Sequence, residues 1–287
     1  MIGDLNVSWI HGAPDCATTT DPPIQVHRFD DATFILRQSK CSEPGASFEA
    51  PFMYLLFGAT RALLLDTGAS RSAEVFPIGS VVQEIRDRVA ASTGQPQVPL
   101  LVAHSHAHGD HAAGDGQLRA LSDVTVVPAP LAKVKTFFDL PLWPEGQGSL
   151  DLGDRILDLI PTPGHESAHL AIYDRLTGIL LTGDTLYPGL LVVNDWPAYV
   201  RSVARLRKFA DTHPVSFLLG SHIEMTDRPG RWFGLGASFQ PGEHALQLEP
   251  RHLVELDDAL RAIGPIPRVD RRADFIIYPA GEPMPAP

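Results

Sequence analysis

The tract His104-Ser105-His106-Ala107-His108-Gly109-Asp110-His111 constrains this chain more than any other stretch. It directly follows a buried apolar run, residues 98–103, and precedes a helix expected from Ala112 onward. A junction between a buried strand and a helix is where reactive side chains are presented on a rigid frame. In an extended segment alternate residues share a side, so His106 and His108 can both reach one metal ion. Asp110 and His111, at the next turn, point elsewhere and can serve a second ion. A solvated histidine-rich loop is the competing reading of any short tract; the tight spacing with an aspartate inside it favours ligands.

Two metals in one site stand about 3.5–4 Å apart and need more ligands than a single loop supplies. The sequence offers them at the ends of later apolar runs. His165 lies in Thr162-Pro163-Gly164-His165 after the run 155–160, Asp184 in Thr182-Gly183-Asp184-Thr185 after 179–181, and His222 in Gly220-Ser221-His222 after 215–219. Each has a glycine one or two residues before it, which permits the close backbone approach of a crowded ion pocket. Singly each reads as a polar loop residue; as a set at four equivalent places they do not.

The order H-x-H-x-D-H, Gly-His, Gly-Asp and a late His, opened by Asp66-Thr67-Gly68 after a strand, resembles the metallo-β-lactamase superfamily from Asp66 to His222. The resemblance implies an α/β fold, an αββα sandwich with the metals at one edge. It also implies roles: His106, His108 and His165 on the first metal, Asp110, His111 and His222 on the second, Asp184 bridging both, and Asp66 steadying the ligand loop without binding metal. Two zinc ions are expected, with iron or manganese compatible with the same donors. The expected nucleophile is a hydroxide shared by the metals, oriented by Asp110 or Asp184.

Tyr187, three residues after Asp184, has the Asp-x-x-Tyr spacing of acyl-homoserine lactonases in this superfamily; it is either an oxyanion donor or a packed loop tyrosine. The carboxylate at 184 resembles lactonases, glyoxalase II-like thioesterases and phosphodiesterases, and true β-lactamases usually lack it. The chain therefore reads as a hydrolase of a small-molecule ester, lactone or thioester. The alternatives are β-lactamase activity, or a mononuclear iron sulfur dioxygenase type of oxidoreductase. The second metal set, Asp110, His111 and His222, weighs against a single ion.

The rest of the chain bounds this reading. With 23 basic and 34 acidic residues, a net charge of −11, the surface would repel a phosphate backbone, so no nucleic-acid partner is expected. No signal-like start and no long apolar run are present, so neither a membrane partner nor a signal peptide is expected, and the location reads as cytoplasmic. The oligomeric state is not specified. Cys16 and Cys41 are too few for a disulfide framework and are expected to stay reduced.

Strand-length runs at 24–29, 33–37, 52–57 and 62–66 open the chain, helical spacing follows at Val82, Ile85 and Val89, and further strands are expected at 124–127, 170–173 and 275–278. Helices are expected at 196–209 and 251–263. The expected organisation is one domain over 1–287, with a core at about 24–225 and a C-terminal extension at 226–287 that carries the terminal helix. The stretch 41–51, with Pro44 and Gly45, reads as a loop overhanging the site. Phe48, Phe52, Met53, Trp143, Trp232, Phe233 and Phe239 are candidate pocket walls, although ordinary core or lid packing is the favoured reading of any one of them. His104 and His169 are expected to support ligands, and His11, His27, His213, His244 and His252 to lie at the surface.

Overall fold

The computed structural model describes residues 3–43 and 45–287, so Pro44 of the expected overhanging loop lies outside the described residues. Chain packing separates two compact units. The first comprises Met1–Ala129, Asp151–Arg155 and Gly236–Phe239, and the second Pro130–Leu150, Ile156–Leu235 and Gln240–Pro287.

In the first unit, β1 (Ile24–Arg28), β2 (Thr33–Gln38), β3 (Phe52–Phe57), β4 (Ala62–Leu65), β5 (Leu100–Ala103) and β6 (Val124–Val126) form a six-stranded sheet in chain order. β1 to β4 are joined antiparallel, and β5 and β6 are added in parallel. Helix α1 (Ile78–Thr93) bridges the parallel pair β4 and β5. It buries Ile78, Val82 and Ile85 against Leu55, Leu64 and Val102 of the sheet and stops at Gly94, which is left-handed at φ 65. Because β4 and β5 run side by side with Leu65 opposite Ala103, Asp66 and the histidine tract leave the sheet at the same edge. The tract turns into two single-turn helices, α2 (Gly109–Ala112) and α3 (Asp115–Leu118). Helix therefore starts within the tract, not after it, and Asp110 and His111 lie on α2.

The second unit begins with α4 (Leu131–Phe137), and its sheet comprises β7 (Gly148–Asp151), β8 (Ile156–Pro161), β9 (Leu170–Asp174), β10 (Ile179–Gly183), β12 (Phe217–Gly220) and β13 (Gln247–Leu248), in the order β13-β12-β10-β9-β8-β7. β11 (Leu190–Val193) leads into helix α5 (Trp196–Ala210), and helix α6 (Pro250–Ile263) follows β13. The short β14 (Asp270–Arg271) and β15 (Ile276–Pro279) complete a small sheet with β11. The β8–β9 turn faces the end at which β10 finishes, since β8, β9 and β10 alternate in direction. β12 runs parallel to β10. The topology thus delivers His165, Asp184 and His222 to one edge of this sheet, the edge where parallel strands end and ligands bind in layered α/β folds.

The C-terminal segment is woven into this unit. β13 pairs with β12, β15 pairs with β11, and Leu253, Leu256 and Leu260 of α6 share a core with Tyr199, Val203 and Leu206 of α5. Among the described residues no helix is long and apolar enough to cross a membrane.

Two expectations about individual residues are corrected. Cys16 and Cys41, expected to stay reduced, form a disulfide with their Cα atoms 5.1 Å apart. The cause is register: Ile24 pairs with Gln38, and Ser39 N–H donates to Pro23 O, so the chain before β1 runs beside the turn after β2. His252, expected at the surface, is buried at the start of α6, where Glu249 N–H donates to its Nδ1 and its Nε2 lies 3.0 Å from Asp274 Oδ2.

Candidate metal centre

The first unit carries four of the expected ligands. His106 Nε2 and His108 Nδ1 stand 2.9 Å apart, and His111 Nε2 stands 2.9 Å from Asp110 Oδ2. The tract therefore presents two donor pairs, one for each expected ion. Their orientation is fixed from behind. Asp66, fully buried, accepts Ser105 N–H at 2.7 Å through Oδ1, and the Ser105 hydroxyl and His111 Nδ1–H, both at 2.9 Å, through Oδ2. With Nδ1 committed to Asp66, His111 keeps its Nε2 lone pair for a metal. Ser105 Oγ lies 3.1 Å from His106 Nδ1 and fixes that ring in the same way.

Asp66 itself sits at φ 67, with its N–H donating to Ala103 O. Its charge adds to burial in pushing the Tyr54 phenol well above its ordinary pKa. The turn that follows the tract is equally tight: a Cβ on Gly114 would stand 2.3 Å from the Thr67 carbonyl oxygen, so no larger residue fits there.

The second unit carries the other three. Asp184, 5% exposed, stands between two imidazoles: Oδ2 is 3.5 Å from His165 Nε2 and Oδ1 is 3.4 Å from His222 Nε2. A direct imidazolium–carboxylate hydrogen bond closes to about 2.7–2.9 Å. Neighbouring ligands on a tetrahedral ion, at bond lengths of about 2.0–2.1 Å, lie roughly 3.3 Å apart, so these spacings leave room for an ion. One carboxylate thus has an imidazole beside each of its oxygens. His165 donates from Nδ1 to Val192 O at 2.8 Å, which leaves its Nε2 lone pair on the Asp184 side. The donor set therefore fits divalent metal in both units: imidazole nitrogens deprotonated toward the site, and carboxylates to balance the charge.

His104 and His169 are both buried and hydrogen-bonded beside the expected ligands. Asp184 N–H donates to His169 Nε2 at 3.0 Å, so the ring proton sits on Nδ1, 2.8 Å from Thr162 Oγ1; this ties the Asp184 turn to the loop before His165. His104 Nε2 lies 2.8 Å from Asp115 Oδ1. Burial pushes the Asp115 carboxyl up, but the hydrogen bond and charge of His104, with Thr67 and Arg119, bring it below its ordinary pKa. Thr67 also donates to His111 O at 3.2 Å, so this dyad braces the turn that carries the second donor pair.

Several expected residues are held by packing, and the Tyr187 ring stands edge-on against that of His222 with centroids 5.4 Å apart. Tyr187 is 4% exposed, its hydroxyl donates to Leu190 O at 2.6 Å, and Glu224 Oε2 lies 3.3 Å away. Its one proton is thus already engaged, and its ring packs in the core cluster of the second unit. Phe52 and Met53 take the favoured packing reading, both fully buried in β3, whose residues are covered on both faces. Trp232 does likewise, buried with Leu190, Met225 and Ile276, its indole N–H on Ala286 O. Phe48, Trp143, Phe233 and Phe239 keep partial exposure. Ser105, Asp115 and Asn194, which donates from Nδ2 to His165 O at 2.6 Å, were not singled out by the sequence. The one usable signal was the Asp195 cap and Pro197 beside Asn194, which mark a rigid helix start.

The family model described as the metallo-beta-lactamase superfamily matches residues 47–222. The chain is 27% identical over 210 residues to the acyl-coenzyme A thioesterase MBLAC2 of Gallus gallus, covering 60% of this chain and 72% of that protein. It is 30% identical over 207 residues to the hydroxyacylglutathione hydrolase of Methylococcus capsulatus, covering 70% of this chain and 73% of that one. Among solved structures, a metallo-beta-lactamase from Pontibacter korlensis matches 83% of this chain and 99% of its own at a TM-score of 0.51 and 16% identity, a likeness of fold alone.

Proposed function

The chain belongs to the metallo-beta-lactamase superfamily and is a metal-dependent hydrolase; we propose that it cleaves small-molecule thioesters at a two-zinc centre. In this reading His106, His108 and His165 would hold one ion, Asp110, His111 and His222 would hold the other, and Asp184 would serve both. The observation that carries the dinuclear reading is the Asp184 carboxylate with an imidazole beside each oxygen. Bound there, a pair of divalent ions supplies a water acidified toward a pKa of about 7 as nucleophile and a Lewis acid for the thioester carbonyl.

The chain's own residues do the rest. Asp110, whose side chain is 16% exposed, is the ligand carboxylate open enough to orient the attacking water and accept its proton. His169 and Asp66 hold Asp184 and His111 in register, so the donors are arranged before substrate arrives. A thiol leaves readily as thiolate, with a pKa of about 8.5, so a thioester needs no phenolic proton donor at the leaving group. This agrees with a Tyr187 hydroxyl that is engaged by Leu190 O. The net charge of −11 supports a substrate other than nucleic acid.

A panel of acyl-coenzyme A and hydroxyacylglutathione thioesters, aryl esters, lactones, phosphodiesters and β-lactams, run on the wild type and on Tyr187→Phe, tests the reading. Thioesters are expected to lead by about 10²-fold or more in kcat/KM, the scale of a genuinely preferred substrate. Tyr187→Phe is expected to change kcat by less than about threefold, since a lost oxyanion donor would cost about 10²-fold. A leading lactone or β-lactam would refute the substrate class, and a 10²-fold loss in the variant would return Tyr187 to the mechanism.

A further inference from the structure

We propose that the junction between β11 and α5 is the frame that sets the spacing of His165 and Asp184, with Asn194 and Tyr199 as its positioning residues; this rests on the ligand assignment above. Everything involved lies in the second unit.

The junction holds the His165 loop at consecutive peptide groups. Ser202 Oγ donates to Pro163 O at 2.7 Å, the backbone N–H groups of Asn194 and Asp195 donate to Gly164 O at 2.9 and 2.8 Å, and the Asn194 amide donates to His165 O at 2.6 Å. Val192 O holds the His165 ring itself. Gly164, at φ 145, lies directly on the helix: a Cβ there would stand 2.4 Å from Tyr199 Cα. The loop is therefore seated on the backbone of Tyr199.

The same residue holds the other ligand. The Tyr199 hydroxyl donates to Thr185 O at 2.5 Å, one residue past Asp184, and the side chain is fully buried. Burial first, and the Asp184 charge second, push its phenol far above the ordinary value, so it remains a donor. One helix end thus fastens both loops, the His165 side by backbone and Asn194, the Asp184 side by Tyr199. Ligands to one ion must agree with its bond lengths to within about 0.2 Å. Two loops tied to one rigid element can meet that tolerance; two independently mobile loops cannot.

Tyr199 also packs in the core, so the test must separate positioning from stability. Tyr173 provides the control, since it belongs to the same core cluster and its hydroxyl donates to Pro214 O at 3.1 Å, away from any ligand loop. Metal-free wild type, Tyr199→Phe, Asn194→Ala and Tyr173→Phe would be titrated with cobalt(II), reading stoichiometry, affinity and the visible ligand-field bands, with the Tm of each metal-free protein recorded. Tyr199→Phe and Asn194→Ala are expected to weaken uptake at one of two ions by about 10- to 100-fold and to shift its bands, the scale of losing a partner behind a ligand. Tyr173→Phe is expected to lower Tm while leaving affinity and bands as in wild type. Wild-type affinity and bands in both Tyr199→Phe and Asn194→Ala overturn the positioning role alone. A wild type that takes up no cobalt overturns the ligand assignment and the inference with it.

Discussion

Asp184→Asn is expected to lower kcat/KM by about 10³-fold or more, the scale of removing one member of a cooperating catalytic unit, while the fold survives. Metal content after purification with excess zinc is expected to fall from two ions per chain toward one. The side chains are nearly identical in shape, and the backbone at 184 stays held by His169, so packing is not the source of the effect. The source is chemistry. The aspartate offers an oxygen on the His165 side and another on the His222 side, 3.5 and 3.4 Å from the ring nitrogens. An asparagine offers one oxygen and one NH2 group, which is a donor with nothing to give a cation. One of the two sides must then face a metal with hydrogens, and a buried negative charge that offsets two divalent ions is gone. Steady-state kinetics with metal analysis checks both parts. Full activity with two ions retained would remove Asp184 as the bridge.

Asp66→Asn is expected to weaken binding of one ion by up to about 100-fold without replacing a ligand. The aspartate accepts three hydrogen bonds, from Ser105 N–H, the Ser105 hydroxyl and His111 Nδ1–H. An asparagine keeps its oxygen on the Ser105 backbone and turns its NH2 group toward His111 Nδ1. That nitrogen must then accept, the ring proton moves to Nε2, and the nitrogen that should bind metal is blocked. Loss of a charged, buried hydrogen-bond acceptor also lowers folding stability by about 1–3 kcal/mol. Competition against a chromophoric zinc chelator, together with denaturant unfolding, separates the two effects. Wild-type zinc affinity in the variant would mean that Asp66 serves the fold and not the metal.

The loops that carry the expected ligands were legible because the sequence places His and Asp soon after apolar runs, and a run long enough to be a strand fixes where the chain emerges. β5, β8, β10 and β12 fall within two residues of the runs at 98–103, 155–160, 179–181 and 215–219. What stayed hidden depends on long-range register. Cys16 meets Cys41 only because Ile24 pairs with Gln38, and β11 is a strand chiefly because Ile276–Pro279 lies beside it. Phe52 and Met53 could be read as core or as pocket wall because β3 is buried on both faces and shows no alternation to separate the two. Tyr199 and Asn194 act across loops far apart in sequence, on backbone oxygens that no side-chain motif encodes.

Crystals grown with excess zinc and measured across the zinc absorption edge would test the shared cradle most directly. Two anomalous peaks about 3.5–4 Å apart are expected, with Asp184 within about 2.0–2.2 Å of both, His106, His108 and His165 around one, and Asp110, His111 and His222 around the other. A single peak, or a pair that Asp184 does not join, would contradict the shared cradle.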